Sequence, residues 1–144
     1  MDNIHARQAT LADFDAIYDF VCGLEDEIFD KNLLRQCYEA CLDTHNTHYL
    51  VATANSNPIG YISCHGQILM HHCGLVYEIQ EMYVLPEYRC KGVGKILLEA
   101  LEKRISNDNY VLLEVASNMK RIDAHRFYEA NGFIKTTYKF KKLP

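Results

Sequence analysis

The stretch Met82-Tyr83-Val84-Leu85-Pro86-Glu87-Tyr88-Arg89-Cys90-Lys91-Gly92-Val93-Gly94-Lys95-Ile96-Leu97-Leu98 decides the fold. An apolar strand ends at Pro86, where the fixed proline torsion and the restricted residue before it close the strand. A short arm then delivers Arg89. Gly92 and Gly94 remove side chains where the backbone turns and a ligand can come close. From Val93, the series Val93, Leu97, Leu101 and Ile105 gives the following helix one buried stripe. The first turn of such a helix points unpaired N–H groups outward, a ready anion site, and Arg89, Lys91 and Lys95 surround it with positive charge. Locally, this junction is either a seat for a phosphate-bearing ligand or an ordinary glycine turn with solvated basic residues. Gly92-Val93-Gly94 lacks the third glycine of a dinucleotide fingerprint, and no Gly-Lys-Ser/Thr follows to make a P-loop.

Outward from this stretch, the chain reads as alternating elements. Asn3–Ala9 is a short strand. Thr10 and Asp13 form a capping-box pattern that starts a helix with Phe14, Ile17, Tyr18 and Val21 on one face. Asp30 caps a second helix carrying Leu33, Leu34, Cys37 and Cys41. The acidic Gly23–Phe29 segment between them reads as a loop, which either lines an acceptor site or is a solvated connection. His48–Ala54, Ile59–Leu69 and Val76–Val84 read as strands, separated by the Asn55–Pro58 turn cluster and by a reversal at His71-His72-Cys73-Gly74. After the Gly92–Asn107 helix, Tyr110–Ala116 is a near-continuous apolar run and hence a strand covered on both faces. Ile122–Ala130 is a short helix stopped by Asn131-Gly132, and Phe133–Leu143 supplies a last strand. The order β-α-α-β-β-β-α-β-α-β predicts an α/β protein, one domain over residues 1–144, with no repeat or linker.

Composition narrows the function class. Apolar content of 49% and charged content of 24% are those of a soluble globular chain. A formal net charge of -4 argues against general nucleic-acid binding and against a polybasic membrane surface, while leaving room for a local basic pocket. No apolar run reaches spanning length and no signal-peptide pattern opens the chain. The 6 cysteines include no Cys-x-x-Cys pair, so structural zinc is not expected. Free thiols in a reducing cytoplasm are the expectation.

Arg89-Cys90-Lys91-Gly92-Val93-Gly94, with its preceding strand, resembles the Gln/Arg-x-x-Gly-x-Gly/Ala signature of the GNAT superfamily of N-acetyltransferases. The element order, the Arg7–Asp13 pattern and the block Ala124-His125-Arg126-Phe127-Tyr128-Glu129-Ala130-Asn131-Gly132-Phe133 extend the resemblance over essentially the whole chain. It implies an acyl-CoA N-acyltransferase fold with a mixed sheet, and acetyl-CoA as cosubstrate. The backbone N–H of Met82 would face the acetyl carbonyl, and Val84, beside Tyr83, would pair with the pantetheine arm. Arg89 and the N–H groups of Cys90, Lys91, Gly92, Val93, Gly94 and Lys95 would hold the pyrophosphate. Asn118 and Arg121 would complete the contacts, although many members carry Asn where this chain has Arg121.

Acetyl transfer to an amine requires loss of an ammonium proton and a donor for the carbonyl oxygen; an acid near the departing thiolate helps. By its place in the family motif, Tyr128 is the acid candidate; core packing is its other reading. Glu78 is the base candidate: it stands four residues before Met82, hence on the same face of a regular strand, and some members carry a catalytic glutamate there. Glu81 falls in the opposite alternation class unless a bulge intervenes. His71 and His72 with Glu78 raise a divalent metal as a possibility, yet adjacent strand residues point apart, and packed or solvated hairpin histidines are the plainer reading. A narrower resemblance, carried by His71-His72, Glu78–Glu81 and Ser117–Tyr128, is to aminoalkylphosphonate N-acetyltransferases. It implies a small phosphonate amine as acceptor and a homodimer. A polyamine, aminoglycoside or protein amine as acceptor, or a non-catalytic acetyl-CoA sensor, are the alternatives.

Overall fold

The computed structural model describes residues 2–144. A five-stranded sheet runs in the order β1-β2-β3-β4-β5, formed by Ile4–Gln8, Thr47–Ala54, Asn57–Leu69, Gly74–Val84 and Leu112–Val115. The first four strands pair antiparallel, and β4 pairs β5 in parallel. Four α-helices, α1 Phe14–Glu25, α2 Lys31–Leu42, α3 Val93–Ile105 and α4 Ile122–Ala130, complete the chain. The sheet is therefore mixed, as the resemblance implies.

Each sheet face carries its own core. The α3 stripe Val93, Leu97, Leu101 and Ile105 is at most 1% exposed and packs on Leu50, Ile62, Tyr77 and Ile79. On the other face Phe14, Ile17 and Phe20 of α1 pack with Tyr38, Tyr49, Val51 and Tyr61. The capping pattern is realised in part: the Thr10 N–H donates to Asp13 at 2.8 Å, and Arg7 grips the same carboxylate through both terminal nitrogens at 2.8 Å. Asp30 caps α2 by accepting from the Leu33 N–H at 2.9 Å.

Three expectations are corrected. The buried face of α2 is Leu34, Tyr38, Cys41 and Leu42, with Leu33 61% exposed and Cys37 exposed, because Tyr38 fills the space against Phe14 and Tyr49. Phe133–Leu143 forms no strand: after Phe133, which stacks edge-on against Tyr128, Ile134, Tyr138, Phe140 and Leu143 are all more than four-fifths exposed. Alternation alone cannot make a strand without a partner edge.

The third correction concerns β4. Ser63 lies opposite Glu81 and Cys64 opposite Ile79, so Gln80 is an extra residue without a partner on β3. Such a bulge shifts the alternation by one. Tyr77 and Ile79 point into the α3-side core, and after the bulge Met82 packs against that same core. Glu78, opposite His65, and Glu81, opposite Ser63, thereby share the α1 face. Glu78 does not share the face of Met82.

Candidate active site

The β4–β5 ladder ends at Ile79 and Val115, while β4 continues to Val84. Beyond Ile79 the β5-side edge of β4 has no neighbouring strand, and the two strands open into a cleft. A cavity of about 380 Å³ occupies it, walled by Glu81 and Met82 of β4, Val115 to Asn118 after β5, Tyr128 of α4, and the end of α1.

The cavity is lined by charges of both signs. Glu25, Asp26 and Glu81 stand on the α1 side, and Lys120 and Arg121 belong to the loop that enters α4. Glu81 is anchored by hydroxyls: Ser63 Oγ donates to its Oε1 at 2.6 Å and Tyr61 Oη donates to the same oxygen at 3.2 Å. Both hydroxyl-bearing residues are fully buried. Burial, followed by the nearby Glu81 charge, holds the Tyr61 hydroxyl well above its ordinary pKa, so it remains a donor. Ser63 Oγ also accepts the Glu81 N–H at 3.1 Å, which fixes the bulge.

Glu78 is not among the residues lining this cavity; its carboxylate accepts from Gln80 Nε2 at 2.9 Å. Tyr128 is in the cavity wall, 6% exposed, with its ring edge-on to Phe127 and Phe133. Burial raises its pKa, with Arg121 opposing in part, so the phenol is protonated at neutral pH. Among the described residues, Ser117 Oγ is a buried polar atom without a hydrogen-bond partner, and it too lines the cavity. A hydroxyl left in that state is a place where a ligand group completes the pairing. Asn118 also lines the cavity; its Oδ1 accepts the Lys120 N–H at 2.9 Å.

The loop after β4 has the geometry of an anion seat. Cys90 and Gly92 take left-handed torsions, φ 59° and 81°, and the first helical bond of α3 runs from the Ile96 N–H to the Gly92 carbonyl at 3.0 Å. The N–H groups before Ile96 are therefore outside the helical ladder. Arg89 ties this loop to the strand: its Nε donates to the Val84 carbonyl at 2.8 Å and its guanidinium lies 5.2 Å over the Tyr83 ring. The two glycines have different duties. A Cβ at Gly92 would meet nothing within 4 Å, so glycine serves its torsion; a Cβ at Gly94 would stand 3.2 Å from the Phe127 ring, so glycine there lets α4 approach α3.

His71 and His72 lie in a single helical turn, Met70–His72, their rings 4.3 Å apart. No group of three or more His, Cys, Asp or Glu side chains among the described residues could hold a metal ion. The donor set does not fit a divalent metal there.

A strand-edge cleft beside a glycine-opened helix is the arrangement that the resemblance to the N-acetyltransferases implies, and the comparisons with known proteins agree. Residues 45–135 match the acetyltransferase (GNAT) domain model. The chain belongs to the GNAT acetyltransferase family, whose chemistry is acetyl-CoA-dependent N-acetylation. It is 37% identical over 136 residues to the aminoalkylphosphonate N-acetyltransferase of Salmonella typhimurium, covering 94% of this chain and 88% of that one. It is 26% identical to aminoglycoside N(6')-acetyltransferase type 1 of Stenotrophomonas maltophilia over 90% of this chain and 86% of that protein. In fold it is similar to an aminoglycoside N-acetyltransferase solved in complex with CoA, with TM-score 0.88, 17% identity and coverage of 100% and 96%.

Sequence reasoning passed over Ser63 and Tyr61, and it made Glu81 conditional on a bulge, the condition that the register shift at Gln80 meets. The signal was present in β4: apolar residues fall on 77 and 79 and then on 82 and 84, with two polar residues between.

Proposed function

We propose that this chain transfers the acetyl group of acetyl-CoA to a small primary amine that also carries an anion, an aminoalkylphosphonate foremost. The observation that carries this reading is the mixed charge of the cleft: carboxylates at Glu25, Asp26 and Glu81 suit an ammonium, and Lys120 with Arg121 suits a phosphonate. Similarity to the Salmonella enzyme supports the same acceptor class. A purely cationic amine such as spermidine would meet Lys120 and Arg121 with like charge.

In this reading the open edge of β4 from Met82 to Val84 takes the pantetheine arm, with the Met82 N–H toward the acetyl oxygen. The N–H groups of Cys90 to Lys95 and the terminal nitrogens of Arg89 take the pyrophosphate. Ser117 Oγ, Asn118 and Arg121 serve the ligand from the opposite wall. Tyr128 donates its phenolic proton to the departing sulfur. Thiol release measured with 2-aminoethylphosphonate, aminomethylphosphonate, neamine and spermidine tests the reading. The phosphonates should turn over fastest; turnover of neamine or spermidine with none of the phosphonates refutes the acceptor assignment.

The tail after Phe133 supports a homodimer. Ile134, Tyr138 and Phe140 are 82%, 82% and 92% exposed and alternate with Lys135, Thr137, Lys139 and Lys141. This is a strand pattern without a strand, while the outer edge of β5 is unpaired. A second copy brings a matching tail and edge. Light scattering should give a dimer for the parent chain and a monomer for the double substitution Tyr138→Asp, Phe140→Asp; a monomeric parent would refute it. The unpaired state of all 6 cysteines suits a cytoplasmic location, and no helix of the described residues is long and apolar enough to cross a membrane.

A further inference from the structure

We propose that Glu81, rather than Glu78, binds the acceptor's ammonium and takes its proton, with Ser63 and Tyr61 as the residues that aim it. This rests on the acetyltransfer reading above and deepens it. The bulge at Gln80 is the cause: without the extra residue, Glu81 would turn toward the α3 core, and with it the carboxylate stands in the cleft beside Met82.

The hydrogen bonds are asymmetric in a useful way. Both protein hydroxyls donate to Oε1, and Oε2 has no protein donor among the described residues. A carboxylate pinned through one oxygen has a fixed direction for the other, which is the requirement for holding an amine in line with a thioester. The pins are themselves immobile, since Tyr61 and Ser63 are fully buried. Glu78, by contrast, is outside the cavity wall and touches it only through Gln80, a lining residue whose side chain is exposed.

The step balances as follows. One ammonium proton passes to Oε2 and on to solvent. The freed nitrogen lone pair forms the C–N bond at the thioester carbonyl. The C–S bond breaks as sulfur takes the Tyr128 hydroxyl proton. The second nitrogen proton, lost from the tetrahedral adduct, restores Tyr128 by way of solvent. One proton is released for each amide formed.

The groups around Glu81 come from several elements. Tyr61 and Ser63 come from β3, Tyr49 from β2, Glu25 and Asp26 from the end of α1, and Lys120 and Arg121 from across the cleft. The two α1 acids add negative charge that favours an ammonium, and the two cations line the same cavity.

The test compares Glu81→Gln, Glu78→Gln and Ser63→Ala with the parent, using whichever amine of the panel the parent acetylates fastest. Glutamine is the right replacement, because its amide oxygen still accepts from Ser63 and Tyr61 while the other position loses its basicity. For Glu81→Gln, kcat/KM should fall about a hundredfold near pH 7, and the loss should shrink at alkaline pH, where the free amine needs no base. Affinity for acetyl-CoA, measured calorimetrically, should stay within about twofold of the parent, on the scale where tenfold is 1.4 kcal/mol. Ser63→Ala should lower kcat more than it raises KM, and Ser63→Thr should restore much of the loss. Glu78→Gln should remain within about threefold of the parent, well short of the general-base range. A Glu81→Gln enzyme with the parent's pH profile, or a larger loss in Glu78→Gln, overturns the assignment of Glu81 alone. A parent that acetylates no amine of the panel overturns the acetyltransfer reading and this inference with it.

Discussion

Gly92 and Gly94 look equivalent in sequence, and substituting each by alanine should separate them. At Gly92, φ is 81° and an added Cβ meets nothing within 4 Å, so the cost of alanine is torsional, about 1–2 kcal/mol. Reduced freedom of the unfolded chain offsets roughly 0.5–1 kcal/mol of that, leaving about 1 kcal/mol. If the loop keeps its shape, this deficit appears as lost unfolding free energy. If the loop relaxes in the free protein, acetyl-CoA must restore it on binding, and 1–2 kcal/mol becomes about a 5- to 30-fold weaker Kd. At Gly94 the Cβ would stand 3.2 Å from Phe127, a ring that can give a few tenths of an ångström. Gly94→Ala should therefore leave Kd nearly unchanged and act on kcat, because Phe127 packs edge-on against Tyr128. Guanidinium unfolding and calorimetric titration with acetyl-CoA read both quantities. Gly92→Ala unchanged in stability and affinity alike, or Gly94→Ala the weaker binder of the two, would refute this division of labour.

Other expectations follow from single contacts. Tyr128→Phe should lower kcat about a hundredfold with acetyl-CoA affinity within about twofold, as titration and thiol release would show; equal kcat would remove Tyr128 as the acid. Asp13→Asn should destabilise by about 2 kcal/mol, below the usual cost of breaking a buried pair because Arg7 remains 41% exposed. Its pKa is lowered in the fold, chiefly by the Arg7 hydrogen bond. The extra stability is thus present above the ordinary carboxylate pKa and is lost as pH falls through the folded value. Melts of parent and variant should converge in acid, and a gap that widened there would contradict the sign.

Much of the fold was legible because local signals and tertiary partners agreed. The α3 stripe, the Asp30 cap and the stop at Asn131-Gly132 each depend on neighbours a few residues away. The α2 face was misread because Tyr38 was passed over for the cysteines, and only the aromatic contacts with Phe14 and Tyr49 show which side is buried. The tail has strand chemistry but pairs with no strand of its own chain, a fact about pairing that alternation does not encode. In the site, the glycine-opened helix was readable from spacing, while Tyr128 was named through the family resemblance and lies in the cavity wall. The faces of the strand carboxylates were not readable, because a period-two pattern leaves open whether a residue is inserted, and Gln80 is one.

The short ladder between β4 and β5 has a mechanical consequence. The two strands are joined over only four residue pairs, Val76 to Ile79 with Leu112 to Val115. Glu81 stands on one arm of this fork and Tyr128 on the other. Flexing at the crotch would change the width of the cleft between Glu81 and Tyr128 while leaving each arm's interior undisturbed.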